Sequence, residues 1–233
     1  MSIFAAFDVY HDIAPHSAAM NMAIDEAMLE SAAAPSIRFY RWESPALSFG
    51  YFGRFADVVG GASKRDLVRR WTGGGIVFHG EDLTYSIVVP TSDPLLGKSS
   101  TSIYAAIHEA LRTALIANGE RAELAAVAAV CGSIRNSATV TDRRYNDCFA
   151  NPVRADVLLN GRKVAGAAQR RTRDGLLQQG SVQYVDLGNG LTERFAQALS
   201  ANYSERKITD EVLNRASELA QRKYGSDSWL RKR

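Results

Sequence analysis

The sequence predicts an α+β domain with mixed, largely antiparallel sheets flanked by helices. Strand-like runs and amphipathic helical segments are interspersed without the regular alternation of a parallel α/β fold. Two turn pairs, Asn160-Gly161 and Asp174-Gly175, separate three short apolar runs, so three strands are expected to run back and forth. No repeat or low-complexity linker divides the 233 residues, and 46% hydrophobic content is enough to fill one sizeable core.

The helices are predicted from apolar residues at helical spacing and from their end signals. Ser17 is a suitable N-cap for the first of them, and Gly119 is a suitable stop for the second. The predicted helices cover residues 17–31, 102–118, 191–199 and 209–224.

The strands are predicted from short runs rich in β-branched and aromatic residues. These runs cover residues 37–42, 47–52, 76–78, 84–89, 124–130, 156–159, 162–164 and 176–184. The polar stretch 132–147 is predicted to be a loop, and Asn160-Gly161 suits a type I′ hairpin turn.

Composition and charge exclude several classes of protein. The net charge of +3 is too small to indicate nucleic-acid binding, and no apolar run approaches the roughly 18–20 residues of a membrane span. The N-terminus lacks the pattern of a signal peptide, and two cysteines make no disulfide framework. The sequence therefore predicts a cytoplasmic protein with reduced thiols, without nucleic-acid or membrane partners. Its basic clusters, if they surround one pocket, would attract an acidic protein partner.

Three consecutive glycines stand out in the segment RRWTGGGIVFHG, residues 69–80. Backbone without side chains can lie directly against a ligand, and Arg69 or Arg70 would offer positive charge to an acidic group. Taken alone, the segment is more typical of a glycine-rich hairpin with surface arginines. A second segment, residues 146–182, changes that interpretation.

Three motifs occur in a fixed order along the chain: RRWTGGGIVFH at 69–79, GRKVAGAAQ at 161–169 and LQQGS at 177–181. Together they resemble the lipoate/biotin protein ligase superfamily, in which lipoate-protein ligases and cysteine-dependent octanoyltransferases share these motifs. The resemblance covers roughly residues 20 to 230. It implies a class II synthetase-like catalytic module spanning residues 1–233 as a single domain, without the C-terminal accessory domain that many of the ligases carry.

The candidate catalytic residues are Cys148 and Lys163. Judged alone, a single cysteine is usually a buried small hydrophobe, which describes Cys131 well, and a single lysine is usually exposed. However, Cys148 lies in a polar loop and is followed by Phe149, and this pair resembles the Cys-Phe motif of octanoyltransferases, which true ligases lack. The resemblance implies that Cys148 forms a thioester and that Lys163 pairs with it and stabilises a developing oxyanion.

The resemblance also implies an acyl pocket. Its expected substrate-binding residues are Arg70, Gly73, Gly74, Gly75, His79, Gly166 and Gln169. The glycines would form the wall along the acyl chain, Gly166 and Gln169 the opposite wall, and residues 177–181 the floor. The scattered histidines predict no metal site.

The sequence favours an octanoyltransferase that takes an octanoyl group from acyl carrier protein and passes it to a lysine of a lipoyl-type domain, without a cofactor. One alternative is a lipoate-protein ligase that uses ATP and magnesium. Ligases commonly have an Asn-Asp pair that helps hold both, where this chain has Ala155-Asp156. The other alternative is a non-catalytic homologue that binds lipoyl domains or a free acyl acid.

Overall fold

The computed structural model describes residues 2–61, 64–126, 149, 152–188 and 190–232. Cys131, Cys148 and the predicted loop over 132–147 lie outside the described residues. No helix in the described ranges is long and apolar enough to cross a membrane.

Helices and strands alternate irregularly along the chain, as predicted. The helices of the described chain are α1 (Ala18–Glu30), α2 (Phe55–Val58), α3 (Ser100–Ala117), α4 (Leu191–Leu199), α5 (Asp210–Leu219) and α6 (Asp227–Leu230). The strands of the same residues are β1 (Phe7–His16), β2 (Ser36–Trp42), β3 (Ala46–Phe49), β4 (Asp66–Arg69), β5 (Ile76–His79), β6 (Leu83–Pro90), β7 (Ala122–Leu124), β8 (Val157–Leu159), β9 (Arg162–Arg171), β10 (Gly175–Val182) and β11 (Tyr203–Arg206).

The strands form one large and one small sheet. The eight-stranded sheet has the order β11-β1-β2-β6-β10-β9-β8-β7, and the three-stranded sheet has the order β4-β3-β5. In the large sheet only β1 makes parallel pairs, with β11 and with β2, and the other neighbours are antiparallel. The predicted class, α+β with mixed and largely antiparallel sheets, is confirmed.

Helices cover both faces of the large sheet. On one face, α3 and α4 pack through Ile107, Leu111 and Phe195 against the strands. On the other face, α1 and α5 pack through Met22 and Leu219. Strand β6 supplies both cores because successive side chains point to opposite faces: Tyr85, Ile87 and Val89 belong to the first core and Val88 to the second.

The turns that sequence analysis singled out form as expected. Asn160 and Gly161 both have positive φ, 49° and 76°, as a type I′ turn requires, and they join β8 to β9. Strands β9 and β10 continue as a second hairpin through the Asp174-Gly175 pair. These two hairpins carry the second and third motifs.

Several predicted boundaries were wrong. The strand predicted over 47–52 ends at Phe49, and the one predicted over 162–164 extends to Arg171. Strand β5 is not a fully buried strand, since Phe78 is 42% exposed at the edge of the small sheet. The strand predicted over 124–130 ends at Leu124, and residues 127–130 lie outside the described chain. Strands β1, β4 and β11 were not predicted.

Candidate active site

A cavity lies where the two sheets meet. Strands of both sheets and helix α1 contribute to its wall, which combines apolar and polar side chains. Its lining residues are Met22, Tyr40, Trp42, Ser48, Arg70, Val77, His79, Thr84, Phe149, Lys163, Gly166, Ala167, Ala168, Gln179, Gly180 and Ser181. The cavity therefore brings together residues from all three motifs.

Lys163 enters this cavity from β9 and is held by Asp156. Its Nζ lies 2.7 Å from Asp156 Oδ2, and both side chains are buried. Asp156 Oδ2 also accepts a hydrogen bond from the Val153 backbone N–H at 2.6 Å, and Tyr104 donates its hydroxyl to Oδ1 at 2.5 Å. Burial and the neighbouring Asp156 carboxylate raise the pKa of Tyr104, so its phenol stays protonated. The Lys163 ammonium therefore has a fixed and fully hydrogen-bonded counter-ion.

Gly166 makes room for the Lys163 side chain. A Cβ at this position would lie 2.5 Å from Lys163 Cε and 2.6 Å from its Nζ. The glycine of the GRKVAG motif thus allows the lysine to fold back along its own strand toward Asp156. Both residues line the cavity, as sequence analysis predicted.

Phe149 lies on the wall of the same cavity. Its ring centroid is 5.6 Å from Lys163 Nζ, and its ring meets that of Tyr184 edge-on at 6.1 Å. Phe149 follows Cys148 in the sequence. Cys148 itself lies outside the described residues, so its prediction as the nucleophile stays a prediction.

His79 forms the centre of a buried polar array. Its Nε2 lies 2.6 Å from Ser48 Oγ, and its Nδ1 lies 2.8 Å from Asp82 Oδ2. The Trp42 ring stacks on the imidazole at 4.1 Å. Thr84 and Ser181 donate further hydrogen bonds to Asp82 Oδ2. Burial alone would raise the pKa of Asp82, but His79 and these hydrogen bonds hold that pKa below its ordinary value, so the carboxyl is ionised.

Arg70 also lines the cavity, but its guanidinium binds the protein's own groups. It donates to Ser48 Oγ at 2.7 Å and to the backbone carbonyls of Gly73 and Gly75 at 3.0 and 2.8 Å. Arg70 thus organises the turn between β4 and β5.

Gly73, Gly74 and Gly75 are not among the residues that line this cavity, and their predicted role along the acyl chain stays a prediction. The Arg70 guanidinium binds two backbone carbonyls of the turn between β4 and β5, and Gly50 packs directly beneath that turn. A Cβ at Gly50 would lie 2.1 Å from the Gly74 carbonyl oxygen, whereas a Cβ at Gly73 would meet nothing within 4 Å. Close packing of this turn therefore depends on Gly50 beneath it, and His79 lines the cavity on that side.

Arg69 has a structural role remote from the cavity. Its guanidinium donates to the carbonyls of Tyr51 and Gly53, and to those of residues 229, 230 and 232 near the end of the described chain. Trp229 returns a hydrogen bond from its indole to the Arg69 carbonyl. The first arginine of the motif therefore fastens the segment around α6 to the small sheet.

Gln169 is not among the residues that line this cavity, and its predicted place on the wall opposite the glycines stays a prediction. Gln169 lies in a neighbouring cavity that shares Ala167 and Ala168 with the first. Its amide donates to Gln178 Oε1 on β10 at 2.7 Å, and this hydrogen bond fixes its side chain.

Gln179 on β10 forms part of the cavity floor, as expected for residues 177–181. Its amide nitrogen donates to Asp25 Oδ2 at 2.7 Å, and its oxygen accepts from Thr72 at 2.8 Å. Asp25 is in turn paired with the buried Arg38 at 2.9 Å. The floor is thereby fixed by a buried charge network that continues into α1 and β2.

Ser48, Asp82 and Tyr104 are among the residues of this site that sequence analysis missed. A serine inside the apolar run ALSF, and an acid three residues after the motif histidine, were the available signals. Tyr104 gave none, because an aromatic residue on an amphipathic helix is normally part of the core.

Sequence relatives of this chain include octanoyltransferases. Octanoyltransferase LipM of Bacillus cereus is 32% identical over 91% of this chain and 94% of the relative. Octanoyltransferase LipM of Brevibacillus brevis is 31% identical over 91% of this chain and 94% of the relative.

Solved structures share the fold. A lipoate-protein ligase A solved with bound ATP superposes with a TM-score of 0.73 at 21% identity, covering 97% of this chain and 98% of the other. Ta0514, a putative lipoate protein ligase from T. acidophilum solved with bound lipoic acid, superposes with a TM-score of 0.71 at 21% identity, covering 96% and 98%. A family model, the lipoyl protein ligase A/B catalytic domain, matches residues 17–223, and the chain therefore belongs to that family.

Proposed function

We propose that this protein is an octanoyltransferase of protein lipoylation. It takes an octanoyl group from acyl carrier protein onto Cys148 as a thioester and passes it to a lysine of a lipoyl-type domain. Relatives named octanoyltransferase match over nine-tenths of this chain, and 94% of their own length, which supports this reaction class.

The observation that carries the proposal is the ion pair of Lys163 and Asp156 on the wall of the cavity. A buried ammonium with a fixed counter-ion is a pre-organised positive charge, which lowers the energy of an oxyanion forming next to it. The same charge favours a thiolate over a thiol. Phe149, the neighbour of Cys148 in sequence, contacts this lysine, which supports Cys148 as its partner.

The octanoyl group leaves a thioester on the carrier protein and ends in an amide on the acceptor lysine. Because an amide is more stable than a thioester, the transfer needs no nucleotide. Asp156, the residue that a ligase would use toward magnesium, has both oxygens engaged by Lys163, Val153 and Tyr104. These contacts of Asp156 support a reaction without magnesium. We infer that the protein works in the cytoplasm, with octanoyl carrier protein as donor and a lipoyl-domain protein as acceptor.

Intact-protein mass spectrometry tests the proposal. Incubation with octanoyl acyl carrier protein, without ATP, should add one octanoyl mass that hydroxylamine removes, as expected for a thioester. Subsequent addition of an apo lipoyl domain should move that mass to the domain. Modification that requires ATP and free octanoate or lipoate would establish the ligase instead.

The two cysteines provide a matched pair of variants. Cys148→Ser should abolish the adduct, whereas Cys131→Ser should leave it in place. A full transfer rate in the Cys148→Ser variant would end the covalent mechanism. Lack of any modification by wild type, combined with tight binding of a lipoyl domain, would indicate a non-catalytic homologue.

A further inference from the structure

The array of Asp82, His79 and Ser48 has the connectivity of a serine hydrolase triad. The serine oxygen lies 2.6 Å from one imidazole nitrogen, and the carboxylate lies 2.8 Å from the other. Ser48 and His79 line the cavity that holds Lys163. A nucleophile and a base in contact, with the base oriented by a third group, are the signs by which such a site is recognised on any fold.

The hydrogen-bond partners fix the tautomer of His79. An ionised carboxylate only accepts hydrogen bonds, so Nδ1 carries the proton that is shared with Asp82. In the neutral imidazole, Nε2 then presents its lone pair to Ser48. This is the tautomer that a general base needs in order to take the proton of a serine hydroxyl.

The partners of Ser48 fix the direction of its hydroxyl proton. Arg70 donates to Ser48 Oγ at 2.7 Å, and a guanidinium can only donate. The hydroxyl hydrogen is therefore free to point to His79 Nε2. The positive charge of Arg70 also favours negative charge developing on Oγ as the proton leaves.

The base is held rigidly in this arrangement. The stacked Trp42 ring restrains the imidazole plane, and Asp82 is itself fixed by the hydroxyls of Thr84 and Ser181. A histidine that only lined the cavity would not need two hydrogen bonds and a stacked ring to fix its orientation. Ser48 and His79 lie on the small sheet, Asp82 lies between β5 and β6, and the array does not include Cys148.

We propose that Ser48 is a second acyl-accepting nucleophile of the cavity, activated by His79, which gives the protein a hydrolase activity toward medium-chain acyl esters and thioesters. Ser48 Oγ attacks the acyl carbonyl while its proton passes to His79 Nε2. The bond to the leaving alcohol or thiol then breaks, and the leaving group takes that proton. Water attacks the acyl-Ser48 ester through the same base, releasing the carboxylic acid and restoring the serine.

Ser48 and His79 are catalytic residues in this reaction, and Asp82 is a positioning residue. The reaction goes beyond the proposed octanoyl transfer, and it does not depend on the thiol of Cys148.

Active-site labelling tests the proposal directly. A fluorophosphonate forms a bond from phosphorus to the serine oxygen as fluoride leaves. The protein, carrying Cys148→Ala to remove the reactive thiol, is treated with such a probe and mapped by peptide mass spectrometry. One label per chain is expected, on Ser48. Ser181 lines the same cavity but its hydroxyl donates to Asp82 and so is not activated by a base, and it should remain unlabelled.

Hydrolysis of p-nitrophenyl octanoate gives the second readout. In the same background, Ser48→Ala should lower kcat at least about 100-fold. Asp82→Asn should lower kcat by roughly 10³–10⁴-fold with little change in KM, because it favours the wrong tautomer, and Asp82→Glu should restore part of the rate. A purely structural Asp82 would instead lower the melting temperature without this split between kcat and KM.

Label on another residue, or no label on Ser48, would overturn the proposal even if Ser48→Ala fails to fold. Hydrolysis that survives in folded Ser48→Ala would overturn it as well. Failure of octanoyl transfer is a separate outcome, because that reaction is measured with Cys148 intact and carrier protein as donor.

Discussion

At the residue scale, Lys163 is a buried cation whose position depends on one carboxylate. Taking an isolated charge out of water is costly, so neither Lys163 nor Asp156 is stable in this place without the other. Tyr104 and the Val153 amide donate further hydrogen bonds to Asp156. The pair behaves as one unit, and its members should not act independently.

A double-mutant cycle measures this dependence. Lys163→Met and Asp156→Asn should each lower the free energy of unfolding by about 3–5 kcal/mol, because each leaves a buried partner uncompensated. The double variant should lose less than the sum of the two, by roughly 1–3 kcal/mol. Urea denaturation of the four proteins gives these values.

The exposed pair Arg173 and Asp174, 3.6 Å apart, is the control for that cycle. Its coupling should be below about 1 kcal/mol because solvent screens it. Strict additivity at Lys163 and Asp156 would contradict the assignment of a coupled pair.

A site residue could be predicted from the sequence where it belongs to a contiguous motif, and not where only strand pairing brings it to the site. Lys163, Gly166, His79 and Arg70 belong to contiguous motifs, and the structure places all four on one cavity. Ser48 contacts His79 only because β3 pairs with β5 in the small sheet, with Ser48 opposite Val77. The spacing of residues along the sequence does not reveal which strands pair. The contact between Ser48 and His79 therefore could not be predicted before the sheet was known.

At the element scale, the turn between β4 and β5 depends more on Gly50, which packs beneath it, than on Gly73, which lies within it. Gly50→Ala should lower the free energy of unfolding by about 1–3 kcal/mol, because its Cβ would meet the rigid Gly74 carbonyl at 2.1 Å. Gly73→Ala has open space and a compatible backbone, and should be neutral or stabilising by up to about 1 kcal/mol. Thermal melts of the two variants, which carry the same chemical change, compare them directly.

The opposite order of stability for these two variants would show that the turn packs differently. Gly73→Ala should also retain octanoyl transfer, since Gly73 does not line the cavity. A Gly73→Ala variant that folds normally but accepts only shorter acyl chains would instead support the original expectation of a glycine wall.

Helix α3 contains a buried titratable group, His108. Its Nδ1 hydrogen-bonds the Ala155 carbonyl at 2.7 Å, and burial lowers the pKa of His108 from 6.5 to about 4. The unfolded chain therefore binds a proton at a higher pH than the folded protein does. Stability from this residue is complete above about pH 6.5 and declines as the pH falls toward 4, by up to about 3 kcal/mol.

His108→Gln, which does not titrate, tests this dependence. Between pH 7 and pH 5, wild type should lose roughly 2 kcal/mol more unfolding free energy than the variant does. Chemical denaturation at the two pH values supplies the comparison, and other titrating groups cancel in the difference. Equal losses in the two proteins would contradict a depressed pKa for His108.

Elements with strong internal patterns were predictable, and those defined by their neighbours were not. Helix α4 begins and ends at the predicted residues, and β6 extends its predicted range by one residue at each end. Strand β11 reads YSER, without any apolar alternation, and is a strand because its backbone pairs with β1. Strand β4 likewise depends on its pairing with β3. These strands exist through long-range pairing, which a local pattern does not encode.

At the scale of the whole molecule, Arg69 joins sequence-distant parts of the chain. It binds carbonyls about 160 residues away in sequence, around α6, as well as those of Tyr51 and Gly53. Arg69→Lys replaces the planar guanidinium by a single ammonium, which cannot donate to all of these carbonyls at once. We expect it to lower the free energy of unfolding by more than about 2 kcal/mol, because buried carbonyls are left without donors.

Limited proteolysis separates this effect from a general loss of stability. Cleavage around residues 226–232 should accelerate in Arg69→Lys before the rest of the chain is cut. Arg173→Lys, at a side chain that is 94% exposed, should behave as wild type. Uniform acceleration of cleavage throughout Arg69→Lys would argue against a local clamp.

The pairing of β1 with β11 has a consequence for synthesis on the ribosome. Phe7 is opposite Tyr203, so this edge of β1 stays uncovered until residues 203–206 have emerged from the ribosome. Until then, β1 offers unpaired backbone groups to any neighbouring nascent chain. Cells producing this protein quickly should therefore accumulate aggregates that contain truncated chains ending before residue 203, and slower translation should reduce them.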